Sequence, residues 1–205
     1  MSTANAQVRR RRPGFSSVTD AARLQLCAVT EDPQVQLRHI AALLAFTPTI
    51  RRFGNRMRIR LDHGPTALWL CETLSDKDVY LVDVASGGGT VEVFNPLIVL
   101  ARYGFRDGRW VFGQGLAAAE GISRGAVHAA GVFSGYGLKV SCPSPSMMLT
   151  LHAVMSRLGI KVRPTVGEPR VAISVGDVPR ALTRLGIADV AEEYQQLRDK
   201  RGARS

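Results

Sequence analysis

The sequence has few acids, few aromatic residues and few cysteines, and each shortage bears on what kind of protein it can be. Asp and Glu account for 17 of its 205 residues against 27 Lys and Arg, which gives a formal net charge of +10. Such an excess of positive charge is typical of proteins that bind nucleic acid or another polyanion. The three cysteines, Cys27, Cys71 and Cys142, show no spacing typical of a zinc site or a redox pair. We expect them to pack as small hydrophobic residues.

The sequence also lacks long hydrophobic runs. No stretch approaches the length of a membrane span, and no apolar segment of signal-peptide length follows the basic N-terminus. We therefore expect a cytoplasmic protein, associated with the nucleoid if its polyanion is DNA. Residues 1–17 are predicted to be a disordered basic arm and residues 199–205 a basic tail. The arm contains four successive arginines, Arg9, Arg10, Arg11 and Arg12, which would either follow a phosphate backbone or keep the protein soluble.

An internal repeat organises the rest of the chain, which is long enough for one full core or two small ones. Each half is predicted to run helix, strand, helix, hairpin and closing helix. In the first half these segments are residues 39–46, 55–61, 64–74, 78–84 with 90–94, and 95–105. In the second half they are residues 124–133, 138–142, 146–159, 160–164 with 170–175, and 176–187. The closing helices match in detail, because Leu100, Arg102 and Gly104 correspond to Leu182, Arg184 and Gly186.

This duplication predicts an α+β protein with two lobes related by a pseudo-twofold axis, residues 18–110 and 111–198. One helix from each half is rich in small residues, which allow close approach of two backbones. These residues are Ala41, Ala42 and Ala45 in the first half, and Gly125, Ala126, Ala129 and Ala130 in the second. We expect the two helices to pack against each other at the pseudo-twofold axis.

Strict alternation of basic and apolar residues marks the first predicted strand. Arg56, Arg58 and Arg60 alternate with Met57, Ile59 and Leu61, so the arginines are expected on one face and the apolar side chains on the other. Neighbouring like charges repel, so this ladder either contacts an anion or is relieved by acids, for which Asp83 and Glu92 are the candidates. The corresponding basic residues of the second half are Lys139, Lys161, Arg163 and Arg170.

Catalytic motifs are weak. The segment "GISRG" has the form of a nucleophile elbow, but the residues before it are typical of a helix, and Ser123 is better interpreted as a helix N-cap. The four histidines show no metal-ligand spacing, and His128 on a small-residue helix is predicted to be packed or at the solvent edge. The segment "SGGG" is followed by no Lys-Ser/Thr pair, which excludes a P-loop. No catalytic residue, metal or cofactor is therefore expected.

Five stretches make the chain resemble a known family. They are "LRHIAALLAF" in the first half, and "SRGAVHAAGVF", "LKVSCPSPSMMLTLHAVMSRLGIKVRP", "RVAISVGDVPRALTRLGIADV" and "EEYQQLR" in the second. They are similar to the WhiA family, bacterial regulators of cell division and sporulation that carry a degenerate LAGLIDADG homing-endonuclease domain. The resemblance implies a duplicated LAGLIDADG-like domain, with two curved antiparallel sheets that have helices on one face and form a saddle over the DNA major groove. The second half carries the more specific resemblance.

The resemblance also implies the absence of nuclease chemistry. In active LAGLIDADG nucleases each central helix ends in an acid that binds a divalent metal. Alignment of that motif places Ala130 and Thr47 at the two acidic positions, and neither residue is an anionic ligand. WhiA proteins also carry a C-terminal helix-turn-helix region, for which residues after 187 offer only one amphipathic helix and the basic tail.

The predicted function is a non-catalytic, double-stranded-DNA-binding transcription regulator. Arg9–Arg12, Arg56, Arg58, Arg60, Lys139, Lys161, Arg163 and Arg170 would contact phosphate. Another transcription regulator or RNA polymerase is the expected protein partner. A protein-interaction module without direct DNA binding is the first alternative, and a residual endonuclease is the second. RNA stays open as the ligand, although few aromatic residues are placed for base stacking. A duplicated chain supplies its own pseudo-twofold axis, so a monomer is expected.

Overall fold

A computed structural model describes residues 14–85, 87–165 and 167–202, with side chains up to residue 200. In the first half, two helices precede a four-stranded sheet, and a short hairpin follows the sheet. The elements are α1 (Phe15–Ala28), α2 (Pro33–Phe46), β1 (Ile50–Phe53), β2 (Arg56–Leu61), α3 (Gly64–Leu74), β3 (Val79–Ala85), β4 (Gly88–Phe94), α4 (Pro96–Val99), a 3-10 turn (Ala101–Tyr103), β5 (Phe105–Arg106) and β6 (Arg109–Trp110).

The second half repeats this plan without the extra hairpin. Its elements are α5 (Leu116–Ala130), β7 (Gly131–Ser134), β8 (Gly137–Ser141), α6 (Pro145–Arg157), β9 (Arg163–Pro164), β10 (Arg170–Ser174), α7 (Val178–Arg184) and α8 (Ala188–Gly202). Helices α2 and α6 begin alike, since Asp32 and Ser144 each accept a backbone N–H bond and a proline occupies the first turn. Proline is tolerated there because the first-turn N–H groups have no partner within the helix.

The predicted duplication is confirmed by the order of the strands. The first sheet runs β1-β2-β4-β3 and the second β7-β8-β10-β9, all antiparallel, so corresponding strands occupy corresponding places. The closing segments correspond as well. Leu100 and Leu182 are both fully buried, and Gly104 and Gly186 both have a left-handed backbone, with φ of 94° and 81°. Only glycine adopts this conformation without strain.

The central helices α2 and α5 pack against each other along their length, as the small residues predict. Two glycines of α5 lie at this contact. A Cβ atom on Gly121 would lie 2.3 Å from the carbonyl oxygen of Val35, and one on Gly125 would lie 2.3 Å from that of His39. Both distances are far below van der Waals contact, so the two backbones meet at a separation that only glycine allows. The helix pair joins the two lobes.

Several boundaries differ from the sequence predictions. The helix predicted at 39–46 begins at Pro33, and the closing helix predicted at 176–187 spans Val178–Arg184. Helix α1 begins at Phe15, so residues 15–17 are part of the fold and not of a disordered arm. Helix α8 continues to Gly202, through the start of the predicted tail. The helix predicted at residues 124–133 runs instead over Leu116–Ala130, which places Ser123 in its buried interior and not at an N-cap. The predicted closing helix at 95–105 is only α4 and the 3-10 turn, because Asn95 and Gly104 both have positive φ.

Helix α1 also crosses the predicted lobe boundary. Its buried side chains, Phe15, Val18, Ala22 and Leu26, belong to the hydrophobic core of the second lobe together with Tyr194 of α8. The second lobe therefore includes a helix from the first half of the chain. None of the helices that the structure describes between residues 14 and 202 has the length and apolar character of a membrane span.

Candidate nucleic-acid interface

The arginine ladder, Arg56, Arg58 and Arg60, lies on the open face of the first sheet. All three side chains are exposed, while Met57, Ile59 and Leu61 are buried in the core of the first lobe. Helix α3 packs on the buried side. The opposite face of the sheet, here called the first open face, is left to solvent and holds a groove of about 660 Å³. The predicted orientation of the strand is thus confirmed.

The three arginines differ in their partners. Arg58 donates to the Glu92 carboxylate, at 3.0 Å from Nη2 and 3.3 Å from Nε. Arg56 lies over the Phe94 ring, 4.6 Å from its centroid. Within the described part of the chain, Arg60 makes no ion pair, and it lines the groove beside Asp83. Glu92 is therefore a relieving acid for one arginine only.

Sequence reasoning missed a fourth arginine on this face. Arg51 of β1 is exposed and lies directly opposite Arg58 of β2. Like charges placed opposite each other on neighbouring strands destabilise a sheet unless an anion lies between them. The available signal was weak, because the exposed edge strand β1 has no buried face and its sequence "IRRF" does not alternate.

The second sheet also has an open face with basic side chains, here called the second open face. Lys139 of β8 lies opposite Ala172 of β10, which lies opposite Arg163 of β9, so these residues share one face. Arg163 and Ala172 line a groove on this face, and Lys161, in the coil before β9, lines the same groove. Arg170 forms an ion pair with Glu168. Arg9, Arg10, Arg11 and Arg12 lie outside the described residues.

A chain of buried polar side chains crosses the interface between the lobes, and the sequence did not predict it. Glu31 lies 2.9 Å from Nδ1 of His39, and Nε2 of His39 lies 3.0 Å from Nδ1 of His128. From His128, Nε2 lies 2.8 Å from the Thr66 hydroxyl, which is in turn 2.8 Å from Nδ1 of His63. These five residues, Glu31, His39, His128, Thr66 and His63, are the buried polar chain.

Arg124 of α5 holds the acidic end of the buried polar chain. It is itself buried and donates to Glu31 at 2.9 Å and to the carbonyl oxygen of Leu185 at 2.8 Å, and it pairs with Glu120 at 2.7 Å. A carboxylate can only accept, so His39 donates to Glu31 through Nδ1. All bonds are then satisfied when each histidine is neutral with its proton on Nδ1. Trp69 covers both central histidines, with ring centroids 5.1 Å from His39 and 5.3 Å from His128.

Known structures share this arrangement of helices and sheets. The crystal structure of full-length DUF199/WhiA from Thermatoga maritima is similar over 89% of this chain and 66% of that chain, at 14% sequence identity and a TM-score of 0.63. The N-terminal LAGLIDADG domain of DUF199/WhiA is similar over 86% of this chain and 91% of that domain, at 14% identity and a TM-score of 0.57. The fold is the LAGLIDADG fold. The chain spans about two thirds of the full-length WhiA structure.

The homing endonuclease I-DmoI has the same fold. Its structure in complex with DNA and Mn is similar over 75% of this chain and 97% of that chain, at 12% identity and a TM-score of 0.54. No protein-family model matches the sequence, and no curated protein matches it.

The ends of the LAGLIDADG helices do not offer ligands for a divalent metal. Helix α2 is followed by Thr47, whose hydroxyl donates to the carbonyl oxygen of Leu43 at 2.7 Å, and α5 ends at Ala130. Mg²⁺ and Mn²⁺ prefer carboxylate oxygens, and neither position supplies one. No group of three or more His, Cys, Asp or Glu suited to a metal occurs in the part of the chain that the structure describes.

Acidification is expected to destabilise the LAGLIDADG helix pair. Burial, followed by the repulsion that a protonated His39 would exert and then by the charge of Arg23, lowers the pKa of His128 well below its usual value, whereas in the unfolded chain this histidine titrates near pH 6.5. The unfolded state therefore binds a proton on His128 that the folded state does not bind. The contribution of neutral His128 is complete above about pH 6.5 and is lost as the pH falls, by up to about 1.4 kcal/mol per pH unit.

Thermal unfolding between about pH 7 and about pH 5.5 measures this effect, within the window set by the unfolded-state histidine. The melting temperature of the wild type should fall with pH, and His128→Gln should flatten that slope. His152→Gln, on the half-buried face of α6, is the matched control and should keep the wild-type slope. An equal slope in all three proteins would contradict the assignment of His128 as a buried neutral base.

Proposed function

We propose that this protein binds duplex DNA through the open faces of its two sheets, does not cleave it, and regulates transcription in bacterial cell division or sporulation. The observation that carries the proposal is the first open face, where Arg51 lies opposite Arg58 and Glu92 pairs with Arg58 alone, while Arg60 has no acidic partner within ion-pair distance among the described residues. A face built this way is stabilised by an anion that bridges its arginines. Phosphate contacts of this kind position a protein on DNA without reading its sequence.

Charge and fold both support DNA as the anion. The net charge of +10 favours a polyanion over a small ligand. The second open face adds Lys139, Lys161, Arg163 and Arg170, so basic side chains lie on both lobes. I-DmoI, which has the same fold, was solved in complex with DNA. In the proposed complex the two lobes contact backbone segments on either side of the pseudo-twofold axis.

The proposed absence of cleavage rests on Thr47 and Ala130, which leave the helix ends without the carboxylates that hold a metal in a nuclease. The regulatory role is proposed from the structural similarity to WhiA. Within that role Arg9–Arg12 extend the basic surface, the protein acts as a monomer in the nucleoid, and another transcription regulator or RNA polymerase is its protein partner.

Replacement of Arg56, Arg58 and Arg60 by Gln is expected to weaken duplex binding and its dependence on salt. Each phosphate contact releases about one counterion, so the slope of log K against log salt should become shallower by about two to three. Fluorescence anisotropy of a labelled duplex over a salt series, with Mg²⁺ present and the products examined by gel, measures affinity and cleavage together. The wild type should bind without cutting.

A second triple variant controls for net charge. Arg157, Arg180 and Arg184 are exposed on α6 and α7 and line neither of the two grooves on the open faces, and their replacement by Gln removes the same charge. This control should keep most of the wild-type affinity and slope. Equal losses in the two variants would contradict a specific DNA face. Wild-type protein that fails to bind duplex at moderate salt would favour the protein-interaction module, and metal-dependent products would favour a nuclease.

A further inference from the structure

A row of planar side chains crosses one end of the first open face. Phe53 of β1 lies opposite Arg56 of β2, and Arg56 lies opposite Phe94 of β4. Tyr80 of the edge strand β3 lies opposite Glu92 and is the diagonal neighbour of Phe94, whose ring it meets edge-on at 5.5 Å between centroids and 85° between planes. We call Phe53, Arg56, Phe94 and Tyr80 the planar row; it contains one residue from each strand of the sheet.

The two ends of the planar row are unusually exposed for aromatic residues. Phe53 is 57% exposed and Tyr80 is 51% exposed, whereas Phe46, Tyr103 and Tyr194 are almost fully buried. Between the two ends, the Arg56 guanidinium stacks on the half-buried Phe94, 4.6 Å from its centroid. Sequence reasoning expected few aromatic residues to be placed for base stacking; the structure places three, one from each of three strands, on the basic face.

Polar groups border the planar row on one side. A shallow groove of about 410 Å³ is lined by Tyr80, Phe94, Asp78, Glu92 and Asn95. The Asn95 amide lies 3.4 Å from the Asp78 carboxylate, so this edge offers both donors and acceptors. The carboxylates of Asp78 and Glu92 disfavour phosphate here. On the neighbouring part of the same face, Arg51, Arg58 and Arg60 outnumber the acids Asp62 and Asp83 and attract phosphate. The planar row therefore runs from the arginine-lined groove at Phe53 to the more acidic groove at Tyr80.

We propose that the planar row binds an unpaired base of a nucleic acid by stacking, with its backbone held by the neighbouring arginines. Aromatic rings and arginine planes in a basic groove are the general features of single-strand binding, because every base has a π-face. A base stacked on Tyr80 or Phe53 would cover apolar ring surface that water now contacts. This inference rests on the proposed function, since it places an unpaired segment beside the duplex on the same face.

Two labelled probes test the proposal: a blunt duplex, and the same duplex with a short single-stranded extension containing 2-aminopurine. The wild type should bind the extended probe about tenfold more tightly and quench its fluorescence, as expected for one stacked base. Phe53→Leu combined with Tyr80→Leu should abolish both the preference and the quenching. Its affinity for the blunt duplex and its salt slope should stay within about twofold of the wild type, because no phosphate contact changes.

Control variants separate this proposal from the proposed function. Tyr80→Phe keeps the ring and should keep the preference, and Leu149→Ala removes an exposed apolar side chain from α6 and should have no effect. The triple arginine variant should lose affinity for both probes. Extended-probe binding without blunt-duplex binding would overturn duplex recognition and leave the planar row supported. Equal wild-type affinity for the two probes, or a preference that survives in the leucine variant, would overturn the stacking site.

Discussion

Replacement of Arg124 by Met is expected to lower the free energy of unfolding by about 3–5 kcal/mol, the usual cost of breaking a buried ion pair by removal of one partner. Arg124 is buried and bonds Glu31 at 2.9 Å, and the Glu31 side chain is only 2% exposed. Without the guanidinium, the Glu31 carboxylate keeps His39 as its one hydrogen-bond donor among the described residues. The Leu185 carbonyl oxygen loses its bond from Arg124 as well. Urea unfolding at neutral pH measures the loss.

The matched control is the ion pair between Arg170 and Glu168, whose side chains are 41% and 70% exposed. Arg170→Met should cost less than about 1 kcal/mol, since water replaces the lost partner. The double variant Arg124→Met, Glu31→Gln should be less destabilised than the sum of the two single variants, because no charge is left unpaired. A loss below about 1 kcal/mol for Arg124→Met, or strict additivity, would contradict a structural role for the pair.

The parts of the fold that the sequence predicted are those with a local pattern. Strand β2 was predicted because Arg56–Leu61 alternates strictly, and the alternation reports directly which side chains face the core. The duplication was predicted because both halves repeat one order of periodic segments. The packing of the two central helices was predicted from their small residues, because small side chains allow two helix backbones to approach each other closely.

The elements that the sequence analysis missed either lack a local pattern or have a local pattern that favours a different structure. Edge strand β1 has no buried face, so no alternation is required of it. Strand β7 directly follows α5, and the apolar residues Gly131–Phe133 continue the helical composition without a break. Helix α1 did carry a signal, since Phe15, Val18, Ala22 and Leu26 are spaced as on one helical face. The adjacent arginine run led to its first residues being assigned to the arm.

The candidate site divides in the same way. The arginine ladder lies within one strand and was predicted from local sequence. The buried polar chain and the planar row were not, because they join residues distant in the chain: His39 and His128 are 89 positions apart, and Glu31 and Arg124 are 93 apart. A lone histidine on a small-residue helix carries no local sign of its partner. Only the packing of α2 on α5 brings such residues together.

Replacement of Gly125 by Ala should test that packing most severely, with an expected loss of about 3 kcal/mol in the free energy of unfolding, at the upper end of the usual cost of overpacking. The new Cβ would lie 2.3 Å from the His39 carbonyl oxygen and 2.7 Å from both the Ala42 Cβ and the Leu43 nitrogen. Two of these atoms are backbone, so helix α2 itself must move. That shift would also lengthen the 3.0 Å bond between His39 and His128.

The higher helix propensity of alanine acts against this expected loss, because it stabilises helix α5. In an exposed helix the same Gly→Ala change stabilises by about 1 kcal/mol, so any net loss at Gly125 comes from the contact between the helices. Gly176, in the turn before α7, has open space around its hypothetical Cβ and no positive φ, and Gly176→Ala is the matched control with no expected loss. Chemical unfolding measures the free energy of unfolding of both variants and of the wild type. A Gly125→Ala protein as stable as the wild type would mean that α2 and α5 lie farther apart than the structure places them, and the pseudo-twofold joint between the lobes would then have to be formed by other contacts.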